Sequence, residues 1–175
     1  MNAVADKYAD QGVGSIFVYA REAHPGENIS YHRTMADKIH NAQAFRAEYN
    51  VTRQIYLDDL TGDGHIAYGG GSNMTYIFNR AGTPLYRSMW TDALSAENAV
   101  IYYLDVLERR RNREKLAPFK VERIDYRDVD KERRIEGLAK AGPSALAEWQ
   151  TLYDKNILTF KPATDPGDKN TPSPI

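Results

Sequence analysis

Two spacings of apolar residues alternate along the chain, and their switches predict its elements. Val4 and Tyr8, four apart, predict a helix over about Asn2 to Asp10, stopped by Gln11-Gly12-Val13-Gly14. Ser15 to Ala20 is continuously apolar, the pattern of a strand buried on both faces in a parallel sheet. A long polar loop follows. Thr34 then has the character of an N-cap, and Met35, Ile39, Ala42 and Phe45 recur at helical spacing as far as Tyr49. Gln54-Ile55-Tyr56-Leu57 is the next strand, closed by Asp58-Asp59. Strand, helix and strand with short links predict a right-handed crossover in a parallel sheet.

Gly62-Asp63-Gly64 through Gly69-Gly70-Gly71 predicts a mobile loop. Thr75 to Phe78 and Pro84 to Arg87 flank Asn79-Arg80-Ala81-Gly82, a hairpin signal. Ser95 is expected to cap a helix whose apolar face is Ala99, Tyr102, Tyr103, Val106 and Leu107. That helix ends in the charged run Glu108 to Lys115. From Leu116 the composition changes: Val121 to Lys140 carries both charge signs densely, and Pro143 opens a helix with Leu146, Trp149 and Leu152. The predicted organisation is a domain over 1–115, a charged helical extension over 116–160 and a disordered tail over 161–175. The order of elements in 1–115 is that of an α/β, thioredoxin-like three-layer fold lacking its first strand.

Composition narrows the chemistry. The chain of 175 residues has a formal net charge of −1, so no global field favours nucleic acid or an anionic membrane. It has no cysteine, which excludes disulfides, thiolate metal sites and a cysteine nucleophile within the chain. No apolar run approaches the roughly 20 residues of a membrane span. The first residues lack the basic and apolar regions of a signal peptide, so a cytoplasmic protein is expected.

Candidate chemistry concentrates between Tyr19 and Arg33, where Arg21, Glu22, His24, His32 and Arg33 share one loop. A histidine can pass a proton near neutral pH, and Glu22 could orient it. The same residues equally fit a loop held by backbone hydrogen bonds. Two histidines and a glutamate offer zinc ligands, but their spacing is not helical and no fourth ligand follows, so no metal site is expected. Arg21 and Arg33 could grip an anionic group through the guanidinium fork. Asp58 and Asp59 close a strand where open α/β folds place ligands, and they equally suit capping. The Asp59 to Gly64 run lacks the glutamate of a calcium loop, its place being Gly70. The Arg109 to Arg113 run, interspersed with acids, reads as a solvated helix end.

Several ordered blocks between Ala5 and Leu107 together resemble the iodothyronine deiodinases, a branch of the thioredoxin-fold redoxins. They are Ile16-Phe17-Val18-Tyr19 with Glu22-Ala23-His24-Pro25, His32-Arg33 before a helix, Leu57-Asp58, Ala67-Tyr68-Gly69, and the hairpin of Tyr76-Ile77, Gly82 and Tyr86. The resemblance implies an oxidoreductase that removes iodine reductively or performs thiol and peroxide chemistry. It implies His24, His32 and Glu22 as proton donors and orienting group. It assigns substrate binding to Arg33, Arg21, Asp58 and Tyr68. The implied partners are a small aromatic or peroxide substrate and a thiol reductant, with no cofactor; a homo-oligomer is compatible with it. The family's cysteine or selenocysteine follows the first strand, and its matching position lies upstream of Met1. Ser72-Asn73-Met74 stands where the family carries Pro-Glu-Arg, so no arginine here grips the acid end of a hormone.

A missing first strand raises a physical difficulty, because each buried, unpaired backbone group costs about 1–3 kcal/mol. Three outcomes are open: the two predicted strands pair directly, a partner's strand fills the gap, or the chain is a fragment beginning at an internal methionine. The fragment origin is the one favoured. The alternative function is a non-catalytic thioredoxin-like binding module that uses the same loop.

Overall fold

The computed structural model describes residues 1–116 and 130–154, apart from the side chain of Tyr153. The expectations for 117–129 and 155–175, including the tail from Lys161, lie outside the described residues. The fold is a mixed α/β arrangement in two compact units. One comprises Met1–Ala23 and the described part of Tyr31–Lys120; the other comprises His24–Ser30 and the described residues beyond Val121.

The first unit runs α1 (Asn2–Ala9), β1 (Ile16–Tyr19), α2 (Met35–Glu48), β2 (Gln54–Leu57), α3 (Asp63–Ala67), β3 (Thr75–Phe78), β4 (Pro84–Ser88) and α4 (Ala93–Arg111). β1 and β2 pair directly and in parallel, Phe17 opposite Ile55 and Tyr19 opposite Leu57. No strand lies between them. β3 and β4 form a separate antiparallel hairpin, so the described residues hold two two-stranded sheets and not one continuous sheet.

The expectation that β1 is buried on both faces is overturned. Phe17 and Tyr19 face α2, where their rings lie 4.9 and 5.9 Å from Phe45. Ile16 and Val18, on the opposite face, remain 60% and 51% exposed, and Tyr56 beside them 55%. With two strands and one helix, only one face of the pair is covered. α2 also turns differently from its apolar spacing. Met35 and Ile39 are exposed, whereas Lys38, Asn41 and Ala42 are buried. Thr34 does cap α2: its Oγ1 accepts from the Asp37 N–H, and the Asp37 carboxylate accepts from the Thr34 N–H.

Two further expectations are corrected. The loop expected over 62–71 contains α3, because Asp58 and Asp59 satisfy the N–H groups of its first turn. α4 starts at Ala93, capped by Asp92 and not by Ser95. The Asp92 carboxylate accepts from both the N–H and the hydroxyl of Ser95. The buried face of α4 is Ala96 and Val100, while Tyr102 is 63% exposed. α1 is held to α4 by Lys7 and Tyr8, which both donate to Glu97, and to the end of α2 by Asn2, which donates to the carbonyls of Tyr49 and Asn50.

The second unit consists of α5 (Lys131–Ala141), α6 (Pro143–Asp154) and the 24–30 loop. Leu138, Ala141, Ala145 and Trp149 form its core, with Ile29 and Leu146 packed against them. The loop closes both helix ends. The Asn28 backbone and side-chain amides donate to Ala141 and Lys140, and Glu27 accepts from the N–H and hydroxyl of Ser144. A side chain at Gly26 would meet the Ala141 carbonyl at 2.3 Å, so glycine alone permits this approach. Among the described residues no helix is long and apolar enough to cross a membrane.

Candidate functional site

The polar groups that the first unit buries gather at the carboxyl ends of β1 and β2. His32, Lys38, Asn41 and Asp58 are 7%, 1%, 8% and 9% exposed, respectively. β1 delivers Tyr19 and then Glu22; β2 delivers Asp58 and Asp59; α2 contributes Lys38 and Asn41, with His32 two residues before its cap. The Asp58 N–H donates to the Tyr19 carbonyl at 3.2 Å, carrying the strand pairing into the site.

His32 is the centre of this cluster. Its ring lies 5.5 Å from that of Tyr19, and its Nε2 lies 3.8 Å from Glu22 Oε1. That separation is too long for a hydrogen bond, and Nε2 has no hydrogen-bond partner among the described residues. Burial, with the Lys38 charge adding to it and Asp37 opposing, holds the imidazole below its ordinary value of 6.5. Burial likewise raises the Glu22 carboxyl above its ordinary 4.5. Both shifts favour the uncharged forms: a neutral imidazole beside a carboxyl that keeps its proton to higher pH.

Lys38 was not singled out by the sequence reading. Its ammonium donates to the Asp59 carbonyl at 2.8 Å, and burial lowers its pKa against the opposing charges of Asp58 and Asp59. The available signal was spacing: Lys38, Asn41, Ala42 and Phe45 share one stripe of α2, three to four residues apart. A stripe carrying lysine and asparagine beside a strand pair marks a buried polar site more directly than the apolar residues of the same helix.

The other candidates divide. Asp58 is a cap: Oδ1 accepts from the N–H groups of Asp59 and Gly64, and Oδ2 from that of His65. Arg21 and Arg33 are exposed, and the backbone N–H of Arg33 donates to the Asp37 carboxylate. Tyr68 is 51% exposed and stands outside the buried cluster. It packs edge-on to Tyr76 at 5.1 Å, and its carbonyl accepts from the Tyr76 hydroxyl. His24 belongs to the second unit, where Nδ1 lies 3.6 Å from Glu148 Oε2 and Nε2 lies 3.4 Å from an Arg134 nitrogen. His32 and Glu22 are thus brought together in one unit, while His24 is placed in the other. Among the described residues no three His, Asp or Glu side chains converge as metal ligands.

What remains is His32 with Glu22 3.8 Å away at the end of a parallel strand pair, and the buried Lys38 ammonium near them. No protein-family model matches this sequence, and a search of curated proteins finds no match to it.

Proposed function

We propose that the first unit is a deiodinase-like redoxin domain of thioredoxin type, in which His32 and Glu22 handle the proton of a reductive step. The observation that supports this reading is the buried His32, its Nε2 unpartnered and 3.8 Å from Glu22, at the carboxyl end of a parallel pair. In the reaction a thiolate or selenolate attacks the iodine of an aryl iodide. A chalcogen–iodine bond forms, the carbon–iodine electron pair passes to the ring carbon, and the acid of the pair protonates that carbon. A second thiol then displaces iodide and leaves a disulfide or selenenyl sulfide. The chain holds no cysteine, so the chalcogen must come from outside this sequence.

The test is turnover of an iodinated phenol and of hydrogen peroxide under dithiothreitol. The chain by itself is expected to be inert with both, and clear turnover refutes the assignment of an external chalcogen. In-frame coding sequence for a strand followed by Cys or Sec, found upstream in the gene, supports the enzyme reading; a stop codon there removes it for this polypeptide.

A binding module is the second reading. It is favoured by Asp58, whose two carboxylate oxygens are both committed to capping α3 and cannot bind substrate without uncapping it.

A further inference from the structure

The opposite, amino-terminal edge of the β1–β2 pair carries a second polar feature that the redoxin reading does not use. A groove of about 560 Å³ opens there, lined by Ala5, Asp6, Ala9, residues 12–15, Thr52 and Arg53. Arg53 forms its charged wall. Its two terminal nitrogens reach only neutral oxygens, Ser15 Oγ at 3.4 Å and Asn2 Oδ1 at 3.3 Å. Its Nε is buried with no partner, and the guanidinium sits 5.8 Å from the Phe17 ring centroid. No ion pair within 4.0 Å includes Arg53 among the described residues.

Burial works against the charge of this guanidinium, and the Asp6 carboxylate, which makes no ion pair with it, offsets only part of that cost from longer range. Asp6, the one acid lining the groove, is held by the Thr52 hydroxyl at 3.5 Å and lies beyond ion-pair distance of Arg53. A second guanidinium approaches the same edge. An Arg80 terminal nitrogen stands 3.7 Å from the position a Gly12 side chain would occupy, and Gly12 itself has φ +80. Around Gly14 there is open space. Ser15 accepts from Arg53, which leaves its own hydroxyl hydrogen free to donate. Ala5, Ala9 and Val13 give the rest of the wall an apolar character.

We infer that this groove binds a small phosphate monoester, its phosphate on Arg53, Arg80 and the Ser15 hydroxyl and its carbon part along Ala5, Ala9 and Val13. A guanidinium fork beside a free hydroxyl donor, with a second arginine at the Gly12 rim, suits a phosphate with its several acceptor oxygens. The apolar side chains of the lining suit a carbon part, hence the ester. This site is independent of the proton-handling pair and stands whether or not the chain has redox activity.

The experiment is a titration of the full chain with inorganic phosphate and with glycerol phosphate, against acetate at matched ionic strength. Amide NMR shifts and calorimetry are the readouts. Saturable shifts confined to 12–15 and 52–53, absent with acetate, are expected. Tighter binding of glycerol phosphate identifies the ester as the ligand, and equal binding identifies the free anion. Arg53→Met should weaken phosphate binding by about tenfold or more. Gly14→Asp guards against a misfolded arginine variant. Its side chain enters open space without backbone strain, and it should abolish binding while the far-UV spectrum is kept. Asp6→Asn should tighten binding about threefold by removing the nearby like charge. Absence of saturation, shifts mapping elsewhere, or a folded Gly14→Asp that binds as well as the parent would overturn the site.

Discussion

The helix pair and the α/β unit differ in how much polar surface they bury beside their apolar residues. In the helix pair, Ala145 is 0% exposed and Leu138, Trp149 and Ala141 are 6%, 6% and 8% exposed. The α/β unit buries Tyr8, Tyr19, Ala42, Val51, Ala96 and Val100, but its most deeply buried large side chain is Lys38, with His32, Asn41 and Asp58 also buried, while Ile16, Val18 and Tyr56 on the strands are more than half exposed. A core of packed hydrocarbon gains about 25 cal/mol for each Å² removed from water. Burying polar and charged groups gains far less and costs desolvation. The described core of the helix pair is therefore drawn from apolar residues, while the α/β unit carries buried polar groups whose desolvation its apolar residues must offset.

Truncating the best-packed residue is the strongest way to break that contrast. Trp149→Ala should cost the helix pair about 3–5 kcal/mol, read as lost hydrogen-exchange protection along α5 and α6. Ile16→Ser and Val18→Ser, on the open strand face, should change stability by no more than about 0.5 kcal/mol in urea unfolding. Equal costs at the two places would mean that this strand face is covered in solution.

Lys38 is the next lever. Lys38→Ala leaves the Asp59 carbonyl unpaired beside a new cavity and should cost about 2–4 kcal/mol. Lys38→Met keeps the volume but leaves the same carbonyl unpaired, so it should cost about 1–2 kcal/mol, less than Lys38→Ala by the cavity it avoids. A methionine variant as damaged as the alanine one would place the importance of Lys38 in its ammonium and not in its bulk.

Much of the α/β unit was legible in the sequence because it rests on local rules. The Thr34 cap and the Asn79–Gly82 turn follow from side-chain chemistry within a few residues, and the parallel pairing of β1 with β2 follows from the strand–helix–strand order with short links. What was not legible depends on partners far along the chain. The outward turn of Met35 and Ile39 follows from α2 packing against only two strands, which no spacing rule contains. The commitment of Asp58 to α3 needs a helix of only five residues that propensity does not call for. His24 and His32, read as one constellation, are divided because Asn28 and Glu27 draw their loop onto the ends of α5 and α6. The sequence spacing of eight residues gave no sign of that division.

The pH dependence sharpens the account of the site, with a smaller effect. Glu22 is raised above 4.5 by burial, so the folded state holds its proton longer than the unfolded chain does. Its contribution is fully present below pH 4.5 and is lost as pH rises through the folded value. Glu22→Gln should therefore raise stability at pH 7 relative to the parent, and the advantage should vanish below pH 4.5 in acid-side urea titrations. His32 works in the opposite sense. Its stabilising contribution is present above pH 6.5 and declines as pH falls through the lowered folded value. Replacing His32 with Gln should flatten that decline.

The most direct measurement is the NMR titration of the His32 ring, in the parent and in Lys38→Met. A midpoint below 6.5 in the parent, moving upward when the Lys38 charge is removed, is the result expected of a buried neutral imidazole poised beside Glu22. A midpoint at or above 6.5, unmoved by Lys38→Met, would mean that His32 is solvated and that the proton-handling pair does not exist.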